Sequence, residues 1–281
     1  MKTVIVKPQN EILKKHIEYF LFLKKSDDNL LNYSTFPNNN ICLAIYKENH
    51  IHYNNVPNYN ECVITKGNSL FSSRLYGFHK RPFNVNINAD LDQVCIIFYP
   101  AALRAFTHES YDDLMKSDHV FDIFTPKDDY ILERIFEENE FPQRAEKLEQ
   151  ILLKNLKFKV PDKIKEAFQI ISEYNHDDLA IESLAKKLEI STPSLFRLFK
   201  NHLGQNPKSF LKTIRFRYAL NEILNKNKNN NTLTGIAFSS QFYDQAHFIH
   251  EIKSFSGYSP KQLFDKACIQ QDALVWIYND K

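Results

Sequence analysis

STPSLFRLFKNHLGQNPK (191–208) and DQAHFIHEIKSFSGYSPK (244–261) are two versions of one pattern, and their comparison decides the C-terminal fold. At an offset of 53 residues Leu195 to Lys200 lines up with Phe248 to Lys253, and Gly204 to Lys208 with Gly257 to Lys261. A repeated segment of this size marks one supersecondary unit used twice. In the first copy, IESLAKKL (181–188) reads as a short helix and Glu189-Ile190 as a tight turn. Ser191 then caps a second helix, whose Leu195, Leu198, Phe199 and Leu203 face inward. Ser194, Arg197 and Asn201, at steps of three and four, share the opposite face. The second copy repeats this with Leu233 to Ser240, a turn at Gln241-Phe242, and a helix from Tyr243 to Phe255 that turns His247, His250 and Ser254 outward. Helix, tight turn, helix is the unit that places its second helix in a DNA major groove.

NPKSFLKTIRFRYALNEILNK (206–226) joins the two copies without an internal Gly or Pro beyond its first turn, which predicts one long helix of about 30 Å. A rigid spacer of that length can set two recognition helices into successive major grooves, since one turn of B-DNA spans about 34 Å. Charge follows the same segment. The whole chain carries a net charge of only +2, yet Lys186 to Lys228 holds ten basic residues, Arg197, Lys200, Arg215 and Arg217 among them, against Glu189 and Glu222. A local basic stripe is what a phosphate backbone requires, and a solvated helix face is the plainer reading of the same charges.

Working outward, Asp162 to Tyr174 carries Ile164, Ala167, Phe168 and Ile171 on one face, and everything from Pro161 onward reads as helical. NKNKNNN (225–231) reads as a solvated loop. Upstream, QRAEKLEQILLKNLKF (143–158) is an amphipathic helix whose Leu148, Ile151, Leu152 and Leu156 stripe suits packing within the domain or a dimer seam. The first hundred residues are of a different kind. ICLAIY (41–46), ECVIT (61–65), SLFSSRLYGF (69–78), FNVNIN (83–88) and QVCIIFY (93–99) are β-branched and aromatic runs bounded by Asn, Pro and Gly. The expected class is α+β in two domains. Residues 1–158 form a β-rich sensor domain, a cupin-like barrel or sandwich, with a helical linker; residues 159–281 form an all-α domain with two helix-turn-helix motifs joined by a long helix.

Residues 161–266 resemble the DNA-binding domain of the AraC/XylS-type transcription regulators. Leu184-Ala185, Ser191, Leu195, Arg197, Phe199-Lys200, Gly204, Pro207, Arg215, Ala219, Leu224, Ile236-Ala237, Phe242, Asp244-Gln245, Phe248, Lys253, Gly257, Ser259 and Pro260 carry the match. The chain departs where the family has a glycine in each turn, having Glu189 and Gln241, and where the second recognition helix often has Arg and Phe, having His250 and Ile252. The resemblance implies a promoter-binding regulator, usually an activator, with RNA polymerase as a partner. The N-terminal half more loosely resembles the β-rich sensor domains attached to such regulators, which leaves room for a small-molecule effector or a homodimer.

Residue chemistry assigns candidate roles. Ser194, Arg197, Gln245, His247 and His250 are candidates for base readout, since Arg fits guanine O6 and N7 and Gln fits adenine. Lys200, Arg215 and Lys253 are candidates for phosphate. Arg217 is equally readable as a helix-cap or core-edge residue. Cys42, Cys62, Cys95 and Cys268 have no C-x-x-C spacing and are expected to be buried thiols; three lie in strand-like runs, which speaks against a reactive repair cysteine. His50-Ile51-His52 lacks a third ligand, so no metal or cofactor is expected, and the absence of nucleophile-elbow or phosphate-loop motifs argues against an enzyme. No signal peptide or apolar 18-residue run appears, so the expected location is the cytoplasm, with no membrane association.

Overall fold

The computed structural model describes all residues except 28, 126–129, 175–178, 226–231, 241, 243, 271–273 and 280–281. The loop reading of 225–231, the Gln241 turn position and the Tyr243 helix start therefore lie mostly or wholly outside the described residues.

Seven strands come first: β1 (Lys2–Val6), β2 (Ile17–Lys25), β3 (Leu31–Thr35), β4 (Ile41–Asn55), β5 (Asn60–Tyr76), β6 (Phe83–Ile87) and β7 (Leu91–Phe98). The separate runs 61–65 and 69–78 are thus one strand, β5, and ICLAIY is the first half of β4. A register shift between Lys47 and Asn49, with Glu48 at φ 56°, breaks the β4–β5 ladder midway. Gly67 is placed where a Cβ would come within 2.7 Å of the Asn49 backbone, so only glycine lets the two strands pass so closely. FNVNIN behaves as its alternation predicts: Phe83, Val85 and Ile87 are buried and pair, in β6, with β3.

A short helical layer follows, α1 (Tyr111–Leu114), α2 (Ile131–Phe136) and α3 (Phe141–Lys154). Leu148, Ile151 and Leu152 of α3 are buried against the sheet core, which spends the stripe on packing within the domain. Arg144 of α3 is almost wholly buried and forks onto both carboxylate oxygens of Asp92 at 2.6 and 3.0 Å, tying the helix to β7.

The helical half contains α4 (Asp162–Glu173), α5 (Ile181–Lys187), α6 (Thr192–Leu203), α7 (Pro207–Leu224), α8 (Leu233–Ser239), α9 (Gln245–Ser256) and α10 (Pro260–Lys266). It does not end helical. Cys268–Gln270 (β8) and Leu274–Tyr278 (β9) form a hairpin, and β9 pairs with β3, giving the sheet order β1-β2-β7-β4-β5-β6-β3-β9-β8. The all-α reading is corrected here: LVWIY is short, but it is β-branched and aromatic, and the open edge of β3 supplies the hydrogen bonds that a five-residue segment cannot make alone. Cys268 in this hairpin is exposed and Cys42 only partly buried, so of the four thiols Cys62 and Cys95 alone are fully buried as expected.

The sheet has a core on each face. One unites one face of the sheet with α1–α3 and the first helix-turn-helix unit; the other, with Tyr46, Ile64, Phe83 and Trp276, lies on the opposite face, inside the half-barrel. A third core belongs to the second helix-turn-helix unit and includes Phe36 and β9's Ile277.

Candidate nucleic-acid interface and inner cavity

Each recognition helix is built by the same local chemistry. Ser191 Oγ accepts from Ser194 N at 3.3 Å and Asp244 Oδ1 from His247 N at 2.7 Å, satisfying backbone donors that a helix N-terminus leaves open. Gly204 and Gly257, at φ 71° and 79°, close the two helices in the left-handed conformation that a side chain would oppose. Asn206 and Ser259 then cap the following helices. The turns are closed by Ile190 N to Ala185 O and Phe242 N to Ala237 O, so the helix-turn segments correspond at 52 residues and the recognition helices at 53: the second turn is one residue longer. Glu189 takes φ 55°, the backbone conformation for which the family's glycine is suited.

Arg197 and Asn201 are exposed on α6, and Ser194 is half-buried beside the cap, its hydroxyl 2.9 Å from Ser191 Oγ and accepting from Arg197 Nη2 at 3.2 Å. Gln245, His247 and His250 are exposed on α9. Lys253 is exposed, and exposed Lys200 lies 3.4 Å from Asp112 of α1. Arg215 lies over the Phe242 ring at 5.6 Å, half-buried between the spacer helix and the second turn. Leu198, expected to face inward, is only partly buried.

Glu251 escaped sequence reasoning. It aligns with Leu198, yet it is buried on α9, with Lys212 Nζ of the spacer at 3.1 Å and His247 Nε2 at 3.6 Å. The acidic residue facing an apolar repeat position was the available signal. It lies between one candidate reader and the spacer helix.

A second feature lies inside the half-barrel. Tyr19, Tyr33, Phe83, Val85 and Ile97 line a cavity of about 190 Å³ that β9's Trp276 helps close. Arg217, left open by the sequence, reaches it from α7. Burial lowers the guanidinium's pKa, opposed by Tyr19 and Glu18. Burial likewise raises the Glu18 carboxyl, which accepts from Asn40. Trp276 Nε1 and Gln93 Oε1, from two lining residues, are buried without hydrogen-bond partners among the described residues. His50 and His52 face each other at 4.3 Å, but among the described residues no group of three His, Cys, Asp or Glu is placed to hold a metal. Among the same residues no helix is long and apolar enough to cross a membrane.

Two family models match separate stretches of the chain. Residues 184–266 match a family model described as a helix-turn-helix domain, and residues 6–119 match a domain of unknown function, DUF6597. An HTH-type transcriptional regulator of Haemophilus influenzae is 28% identical over 115 residues, which are 41% of this chain and 38% of that protein. Among solved structures, the C-terminal domain of AraT, a response regulator from Geobacillus stearothermophilus, is 26% identical; the match covers 41% of this chain and 93% of that one at a TM-score of 0.36. ToxT from Vibrio cholerae, solved with an unsaturated fatty acid, aligns over 87% of this chain and 95% of its own at 14% identity and a TM-score of 0.42. With two capped helix-turn-helix units in register and the motif residues in place, residues 184–266 form a helix-turn-helix domain of the AraC type.

Proposed function

We propose that this protein binds promoter DNA in two successive major grooves and activates transcription, under the control of its β-rich half. The observation that carries this is the pair of recognition helices capped in the same register on either side of an 18-residue spacer, α7, which is about 27 Å long. Arg197 and Ser194 read bases through the first unit and Gln245, His247 and His250 through the second. Lys200, Lys253 and Arg215 take phosphates. Exposure supports Arg197, Gln245, His247, His250, Lys200 and Lys253 in these roles; the half-buried Arg215 is suited to a phosphate at the edge of the interface.

The working division is 1–158 and 159–281, with the β8–β9 hairpin returning to the sheet. The inner cavity is the seat we assign to a small-molecule effector, because its walls come from both divisions and its lining includes Arg217 and two residues with buried polar atoms that lack a hydrogen-bond partner among the described residues. An effector gripping Arg217 would bias the spacer helix, and so the presentation of both units. RNA polymerase is the partner this function requires, self-association through the β-rich half is compatible with it, the protein acts in the cytoplasm, and no catalysis is proposed. The test is selection of bound fragments from genomic DNA followed by titration of the recovered site. A shared motif bound with a steep salt dependence is expected. Equal binding to every duplex would defeat the reading.

A further inference from the structure

Two thiols that lie far apart in the sequence meet inside the half-barrel. In the antiparallel β4–β7 ladder Cys42 stands opposite Ile97 and Ala44 opposite Cys95, so Cys42 and Cys95 are diagonal neighbours on one face of the sheet. Both line the inner cavity. Cys95 is buried and accepts a hydrogen bond from Gln93 Nε2 at 3.1 Å, whereas Cys42 is only partly buried and leaves an approach from solvent. The third thiol of the lining, Cys62, is engaged elsewhere, 3.7 Å from the Tyr76 hydroxyl, which itself lies 2.9 Å from that of Tyr46. The Cys95 thiol first, and burial second, push the Cys42 pKa well up, as two neighbouring sulfurs should. Arg217 brings a cation to the same wall.

We propose that Cys42 and Cys95 form a two-coordinate site for a soft monovalent cation, Cu(I) or Ag(I), held in the inner cavity between two thiolates. The ion replaces both thiol protons: two S–H bonds break, two sulfur–metal bonds form, two protons leave to solvent, and no oxidation state changes. Thiolate sulfur selects soft ions, which can bind thiols that burial otherwise keeps protonated. The resulting unit carries one negative charge, and Arg217 and the Gln93 amide are the wall groups that favour it. Spacing favours a metal over a disulfide. Diagonal neighbours have Cβ atoms a little under about 7–8 Å apart, a disulfide needs about 3.8 Å, and an interposed ion adds two metal–sulfur bonds of about 2.3 Å each. Size agrees, since a cavity of about 190 Å³ is smaller than the roughly 300–1,000 Å³ that organic ligands occupy. Among the described residues no group of three His, Cys, Asp or Glu could hold a metal, so the site suits ions content with two sulfurs rather than zinc, which takes four ligands. The proposal rests on the reading of this cavity as the effector seat and gives that effector its chemistry.

The experiment titrates Ag(I) and Hg(II), each against a competing small thiol, into the reduced full chain carrying Cys268→Ser, which removes the exposed thiol. One tight Ag(I) per chain is expected. Cys42→Ala or Cys95→Ala should weaken it at least about a hundredfold, because one sulfur remains, while Cys62→Ala should leave it within about threefold. A charge test needs no change at the two sulfurs and decides even if those variants misfold by circular dichroism. Arg217→Gln should weaken Ag(I), whose bis-thiolate is anionic, about tenfold, and leave Hg(II), whose bis-thiolate is neutral, within about twofold. Equal losses of the two ions overturn the proposal. So does Ag(I) that binds as well without Cys42 and Cys95, or no tight site at all; the effector reading would then still stand. Ag(I) held by the two thiols with no change in affinity for the selected DNA site would support the metal site and defeat the effector reading instead.

Discussion

The two helix-turn-helix units share caps, closing glycines and spacer, and differ in the chemistry they turn outward. The first presents Arg197, always charged and able to fork onto one base, with Ser194 at its side. The second presents His250 at the same register and sets His247 3.6 Å from a buried Glu251, which pairs with Lys212. One scaffold carries two different sets of outward side chains. Strong discrimination should therefore reside in the first unit, while the second positions the protein and adds modest preference.

The largest expected effect breaks this asymmetry directly. Arg197→Ala should cost about 1–3 kcal/mol on the selected site and relax choice at one base, whereas His250→Ala should cost well under half as much, both read by titration at fixed salt. If the two losses were equal, the asymmetry would be wrong. Converting the second unit toward the first sharpens the test: His250→Arg should tighten binding and steepen the salt dependence by about one counterion. Lys253→Gln should weaken binding to every sequence about equally and flatten that slope by about one, leaving base choice intact.

Smaller effects concern stability. Glu189 adopts a left-handed conformation in the first turn, so Glu189→Gly should raise thermal stability by about 0.5–1 kcal/mol by relieving it, less the entropy that glycine adds to the unfolded chain. The smallest involves His202, which aligns with Phe255. Burial, then Arg104 and His108, hold its pKa below 6.5, so its neutral form is favoured in the folded state. The unfolded chain then takes up the proton first as pH falls below 6.5, and stability present above that pH is lost on going lower. Melting temperature should drop between pH 7 and 5, and less so in His202→Gln.

The repeat was legible in sequence because each of its parts is local: a cap, an apolar spacing, a closing glycine. Arg197, Gln245, His247 and His250 reach the surface because the inward positions fix where the outward ones must point. What was not legible depends on distant partners. Nothing near LVWIY (274–278) says that β3 awaits it, 240 or so residues upstream, and nothing near Arg217 says that a barrel cavity lies beyond its guanidinium. Glu251 was misleading in a third way, since a carboxylate at a core position is tolerable only because Lys212 arrives from another helix.

The placement of β9 has a consequence for how the molecule is made. The edge of β3 is completed by a strand that follows the whole helical half, so during synthesis the half-barrel waits, with its inner apolar face incompletely sealed, until residue 278 has left the ribosome. The nascent sensor half should then need a chaperone's cover longer than its own length would suggest. A stop codon at position 268, which removes β8 and β9, should harm the half of the protein encoded first.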